Sequence, residues 1–356
     1  MDKDIDIVFT FFIYFSVLIL GSFFAYAVEH SNKKDWEIIF RIWLFFVLLF
    51  PSIFRYGIGH DYMEYKRIYD SDLFWDYAEF GFCVICQILK FFECSSFWMF
   101  FWIAFLTYSI LCFILPKDNF FIFIFFYIAF YGYFYSLDGM RQALALPFAI
   151  LSFYAYEKKS YWKSILWLIC AIMFHYSSIV FLVLFPFMNI KLNKKTSIVL
   201  TFLLSLLFIK LDYIRIIETL SKISDMRYLL LLNNSLGVTS SLGLGLILKI
   251  FYPLCFILTV NKNNGVRTKK ETLSVNYCIL YIVLSFLVLK IDIFNRLRDV
   301  VWAGVLFSVT AIPKSRYRKL ITLFILFSGI LLYWVYIGIS IGPNTKMLTP
   351  YISIFD

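Results

Sequence analysis

Five stretches of this chain run for 19 residues or more without a charge: Ile7–Val28, Cys94–Pro116, Asn119–Leu137, Ser164–Ile190 and Leu320–Thr345. About 20 apolar residues in helical geometry cross the hydrocarbon core of a bilayer, where only helices or closed barrels satisfy their own backbone. Runs this long and this evenly apolar are helices. Shorter candidates are Ile38–Phe54, Phe80–Phe92, Met140–Tyr156, Thr196–Leu211, Leu242–Val260, Thr272–Leu289 and Arg298–Ile312, giving twelve in all. Phe80–Phe92 is the weakest, since its 13 residues reach only about 20 Å, and a re-entrant segment is its alternative. Composition agrees: 62% of residues are hydrophobic and 16% charged, against roughly 45–50% and 25% in soluble domains. The expected fold is an all-α polytopic membrane protein of about 11–12 transmembrane helices, one helical domain over 1–356. Met1–Asp6 lacks a basic segment and no small-residue cleavage site follows the first run, so the first helix is expected to be retained. A soluble domain, a disordered chain and a disulfide-stapled module are excluded. The excess of 33 Lys+Arg over 23 Asp+Glu marks cytoplasmic loops and anionic headgroups, not a nucleic-acid partner.

Short basic loops set the expected sides. Asn189–Thr196, Asn261–Thr272 and Pro313–Lys319 are separated by two crossings each, and one orientation puts all three in the cytoplasm. Segments 55–79 and 212–241 then become extracytoplasmic loops. The same count puts Glu157–Lys163, with its three lysines, outside, against the positive-inside rule. It also puts Arg141 on the cytoplasmic side or deep in the membrane.

The loop at 55–79 concentrates polar chemistry. Gly57 and Gly59 allow positive φ, so their amides can form an anion-binding nest beside Arg55. Asp61, Tyr65 and Tyr69 follow at i, i+4, i+8, one face of a helix. A carboxylate backed by tyrosines suits a sugar; an interfacial amphipathic helix with solvated charges accounts for the same spacing. Within the apolar stretches, ionisable residues are costly and point to function. They are Asp138 with Arg141 and Gln142, His175 in mid-run, and Arg296 with Arg298. Pairing of Arg141 with Asp138, hydrogen-bonded burial of His175 and snorkelling of the last two arginines are the plainer readings. Seven scattered cysteines, including Cys83-x-x-Cys86 with no histidine nearby, read as packing residues, and no metal is assigned.

Taken in order, Arg55-x-Gly-x-Gly-x-Asp61-Tyr62-x-x-Tyr65, Glu79-x-Gly81, Arg141-Gln142, Phe174-His175-x-Ser177, Asn295-Arg296 and Pro350-Tyr351 resemble the EpsG/Wzy family of polytopic polysaccharide polymerases. The resemblance implies a glycosyltransferase in the bacterial cytoplasmic membrane. Such an enzyme moves a growing glycan from undecaprenyl pyrophosphate to the non-reducing end of a lipid-linked repeat unit on the outer face. It also implies a chain-length co-polymerase of the Wzz type as a partner. No cofactor is expected, since the donor is a lipid pyrophosphate and the chain has no nucleotide-binding motif. On that reading Arg55, Arg141 and Arg296 are candidates for the pyrophosphate, with Gly57, Gly59, Tyr62, Tyr65 and Gln142 around the substrate. Asp61, His175 and Glu79 are the candidate acid–base groups, Asp61 first. The alternatives are an O-antigen ligase using the same donor, and a lipid-linked oligosaccharide flippase or other transporter.

Overall fold

The computed structural model describes residues 3–186, 189–210, 244–260, 268–289, 294–312, 318–339 and 350–355. They are helical, and among them the one extended pairing is an antiparallel bridge between Arg55 and Ser353. The chain gathers into two compact units, Met1–Ile179 with Thr322–Asp356, and Val180–Ile321.

The first unit opens with α1 (Lys3–His30) and α2 (Lys34–Ile53), then the short α3 (Tyr62–Asp70), α4 (Phe74–Tyr77) and α5 (Phe80–Phe91). Next come α6 (Ser96–Ser109), prolonged by a π-helical turn at Ile110–Ile114, then α7 (Phe120–Ala129), α8 (Gly132–Asp138), α9 (Met140–Glu157) and α10 (Tyr161–Phe174). The second unit holds α11 (Val180–Leu184), α12 (Lys194–Lys210), α13 (Leu244–Thr259), α14 (Lys269–Val288) and α15 (Phe294–Val309). There a capping box starts α14, with Thr268 Oγ1 accepting from the Glu271 amide at 3.1 Å. Gly304 of α15 packs where a Cβ would stand 2.3 Å from the Tyr277 ring, so the two helices meet closely. Finally α16 (Arg318–Ile339) leads back into the first unit.

Five of these helices, or six with one bent pair, are long and apolar enough to cross a membrane. Val8, Phe12, Ile19 and Phe23 of α1 and Leu320, Leu323, Phe327 and Trp334 of α16 are all more than half exposed. A surface so apolar belongs against lipid. The protein is an all-α, multi-pass membrane protein.

Three elements differ from the sequence reading, each for a local reason. The run Asn119–Leu137 is two helices bent by 50° at a break where Tyr131 takes φ 81°. The run Ser164–Ile190 is interrupted, because α10 stops at Phe174 and His175 turns extended at φ −155°. His175 therefore stands just past a helix end, not in the middle of a span. Third, α5 has only 12 residues, fewer than a crossing needs, and lies along the loop segment. At its start Phe82 packs on Tyr65 with rings 5.9 Å apart. At its end the Lys90 ammonium meets Asp72 at 2.9 Å, and the Tyr69 hydroxyl donates to the Cys94 carbonyl at 2.7 Å. Both ends of α5 thus touch the 55–79 segment.

One crossing fewer reorders the first unit. The tail joins the loop face directly, since the Tyr56 amide donates to Ile352 O at 2.8 Å and the Tyr351 amide to Thr10 Oγ1 at 2.6 Å. On the opposite face Lys117 reaches Ser31 O at 3.3 Å, and Glu29 accepts from the Phe121 amide at 2.9 Å. With α6 crossing away and α7–α8 returning, Arg141 comes out on the loop face. Within the first unit, α9 then carries the lysines that follow it toward the face of Lys33, Lys34 and Lys117. The segment at 212–241, and most of the basic loops 261–272 and 313–319, lie outside the described residues.

Candidate active site

The loop after α2 is built on two helix C-termini. A helix leaves its last carbonyls unpaired and carries partial negative charge there, so it favours a cation. Arg55, 3% exposed, supplies one to both ends. Its guanidinium donates to Ser52 O at the end of α2, to Leu137 O at the end of α8 (3.1 Å), and to Ile58 O in the loop (3.2 Å). The rings of Tyr62 and Phe100 lie against it at 5.6 and 5.5 Å. Ser52 Oγ continues the network inward to the hydroxyl of Tyr108 at 2.8 Å.

Gly57 and Gly59 do adopt positive φ, 66° and 102°. At Gly59 the need is also steric, because a Cβ would sit 2.2 Å from the Leu137 carbonyl oxygen. The turn brings the amides of His60 and Asp61 to Asp138 Oδ1 at 2.7 and 3.4 Å. The amides that meet a carboxylate are thus those of the two residues after Gly59, not the glycine amides themselves, and the carboxylate is the chain's own Asp138. Asp61 is exposed at the N-cap of α3, while Tyr62, Tyr65 and Tyr69 are buried. The tyrosine face of α3 packs inward against α5 and α6.

Beyond α3 the ionisable residues converge. Glu79, 7% exposed, caps the start of α5 with extended backbone. Arg141 Nη1 donates to Glu79 Oε2 and to Tyr77 O at 3.3 Å, and its Nε lies 3.5 Å from the Tyr65 hydroxyl. The Tyr65 and Phe82 rings flank the guanidinium at 5.4 and 5.8 Å. From α10, His175 Nδ1 stands 3.2 Å from Glu79 Oε1. The other ring nitrogen, Nε2, is buried with no hydrogen-bond partner among the described residues. Burial pushes the Glu79 carboxyl up, but the hydrogen bond to His175 and the Arg141 charge outweigh it and hold it below its ordinary value. Beside an ionised Glu79, Nδ1 is the nitrogen that carries hydrogen, so in the neutral tautomer Nε2 is the acceptor.

Gly81 explains the Glu79-x-Gly81 spacing. A Cβ there would stand 2.9 Å from the Met173 carbonyl oxygen, so the glycine lets α5 approach the end of α10, two residues before His175. Gln142, one residue beyond Arg141, accepts from the Tyr135 hydroxyl.

Of the residues singled out in the sequence, the structure thus brings Glu79, Arg141, His175 and Tyr65 together. Arg55, Gly57, Gly59 and Tyr62 form the neighbouring loop anchor. Arg296 is exposed on α15 in the second unit. Arg141 pairs with Glu79 and not with the nearby Asp138, whose carboxylate serves the loop amides. Cys83 and Cys86 are buried, and the Cys83 thiol donates to Phe74 O at 3.0 Å, as packing residues do. The loop anchor Asp138 was missed as such, because nothing local marks it as the partner of amides nearly eighty positions away.

A carboxylate, an imidazole and a guanidinium thus stand together in a bundle whose long apolar helices can cross a membrane. The family model described as the EpsG family matches residues 38–353, and the chain belongs to that family, within the Wzy-like polymerase group. No curated protein and no solved structure matches the chain.

Proposed function

We propose that the protein is a polysaccharide polymerase of the bacterial cytoplasmic membrane. It transfers a growing glycan from undecaprenyl pyrophosphate to the non-reducing end of a lipid-linked repeat unit, on the face that carries the 55–79 loop. Family membership supports the class of reaction, and the Glu79–His175–Arg141 cluster supports the site. The observation that carries it is His175, its Nδ1 held by a carboxylate and its Nε2 buried without a partner.

In this reading an acceptor hydroxyl gives its proton to His175 Nε2 as its oxygen bonds to the donor's anomeric carbon. The bond from that carbon to the pyrophosphate oxygen breaks, and the lipid pyrophosphate leaves with the electron pair. Glu79 orients the imidazole and stabilises the imidazolium that forms, as a carboxylate does behind a catalytic histidine. Arg141, 23% exposed at the side chain, faces the charge developing on the pyrophosphate, where a guanidinium donates in a planar fork. Asp61, exposed at the loop rim, contributes to holding acceptor hydroxyls. The lysines opposite this face fit a cytoplasmic side by the positive-inside rule.

The test is glycan chain length in a deletion strain carrying variants expressed at wild-type level. Glu79→Gln and His175→Gln are expected to leave single repeat units without a ladder, a loss of about 10²-fold or more in polymerisation. A full ladder from both variants overturns the site. Absence of any capping in the deletion strain points to a ligase, and precursor trapped inside points to a flippase.

A further inference from the structure

On the face opposite the 55–79 loop, the ends of three spans border an open cavity of about 500 Å³. Ser31 after α1, Lys33, Lys34, Glu37 and Arg41 at the start of α2, and Lys117 after the π turn all line it. Its charge is one-sided. Arg41 is already committed: it pairs with Glu37 at 3.0 Å and donates to the carbonyls of Cys112 and Leu115. Lys117 reaches Ser31 O and lies 3.8 Å from the other Glu37 oxygen. Glu37 is therefore shared between two cations, and Lys33 and Lys34 add two more positive charges, both exposed. Asp35 and Asp118 are close in sequence but do not line the cavity. The positive end of the α2 dipole adds to the field, offset in part by Asp35 and Glu37 in its first turn.

We infer that this cavity is a binding site for a phosphate-bearing anion, distinct from the Glu79–His175–Arg141 cluster and independent of the reaction proposed for it. Three flexible ammonium groups around a polar floor suit a phosphate monoester or diester, which needs several donors and no fixed plane. The position at the ends of α1, α2 and α6 is where lipid headgroups lie, and basic pockets between spans take anionic headgroups in this way. A soluble phosphate would use the same three lysines.

The experiment uses the full-length protein in nanodiscs of phosphatidylcholine, with phosphatidylglycerol or inorganic phosphate as the probe. Lipid retention is read by native mass spectrometry, and phosphate binding by the shift in melting temperature. Phosphatidylglycerol is expected to stay bound to the wild type and to a variant with Lys33→Arg, Lys34→Arg and Lys117→Arg. Replacing the same three lysines by glutamine is expected to weaken it about 100-fold, each lysine contributing about fivefold near an anionic surface. Stabilisation by inorganic phosphate that the glutamine variant loses identifies a soluble anion as the occupant and keeps the site. Equal retention and equal melting shifts in all three proteins overturn the proposal. So does loss in the arginine variant, since charge is then not what binds.

Discussion

Two glycines decide where the charged groups stand. Gly59 combines φ +102° with a Cβ position 2.2 Å from a carbonyl oxygen, so Gly59→Ala must distort the backbone and push the loop off α8. Such strain costs about 1–3 kcal/mol, and a lower melting temperature of the purified protein checks it. Gly81→Ala acts differently, because its clash is with the end of α10 and its φ is ordinary. It is expected to separate Glu79 from His175 and to shorten or abolish the glycan ladder while stability changes by about 1–2 kcal/mol at most. The same carboxylate gives a pH signature. Glu79 sits below its ordinary value of 4.5 in the folded protein, so folding holds it ionised more strongly than the unfolded chain does. The stability it adds is complete above 4.5 and is lost as pH falls through the lowered value. The gap in acid stability between wild type and Glu79→Gln is therefore expected to close on acidification; a constant gap would show Glu79 uncoupled from its cations. Residue chemistry was legible in the sequence, since intramembrane and loop charges in an apolar chain are few. Their pairing was not, because Glu79 meets Arg141 and His175 from 62 and 96 positions away.

Among the elements, α5 takes the alternative that the sequence left open for Phe80–Phe92, a short segment beside the loop. Its apolar composition alone cannot distinguish a short span from a segment lying along a loop, and its 12 residues reach only about 18 Å. The deciding contacts are with α3 and the turn after it, through Lys90, Asp72, Tyr69 and Cys94. These are polar contacts of a kind that no hydrophobic pattern encodes. Single cysteines placed at Asp72 and Glu93, in a background without the native cysteines, are expected to react with an impermeant thiol reagent from the same side. A cysteine at Lys158 is expected to react from the other. Labelling of positions 72 and 93 from opposite sides would restore α5 as a crossing. The break between α7 and α8 was equally hidden, since Tyr131 and Gly132 interrupt a run that reads as one uncharged helix.

At the scale of the molecule, class and membrane habit came directly from the uncharged runs, while the arrangement of the helices depended on where two of those runs break. The terminal Pro350-Tyr351 pair shows how distant segments finish the loop. Tyr351 is buried, its hydroxyl donates to Pro51 O at 2.9 Å, and its ring meets Tyr14 edge-on at 6.0 Å. Tyr351→Ala is expected to cost about 3–5 kcal/mol as a buried aromatic truncation, with the loss visible as proteolysis in the 55–61 turn. A variant that melts and resists protease like the wild type would show that the tail is dispensable.

The bridge between Arg55 and Ser353 also has a meaning in time. Phe54 and Ile354 are hydrogen-bonded neighbours, yet the ribosome adds some three hundred residues between them, as many as separate Tyr351 from Pro51. The early helices can enter the membrane long before the segment that ties down their loop exists. During synthesis the anchor around Arg55 therefore waits for the last stretch of chain, and a product stopped short of it carries every group of the cluster without the strap that closes the turn beside them.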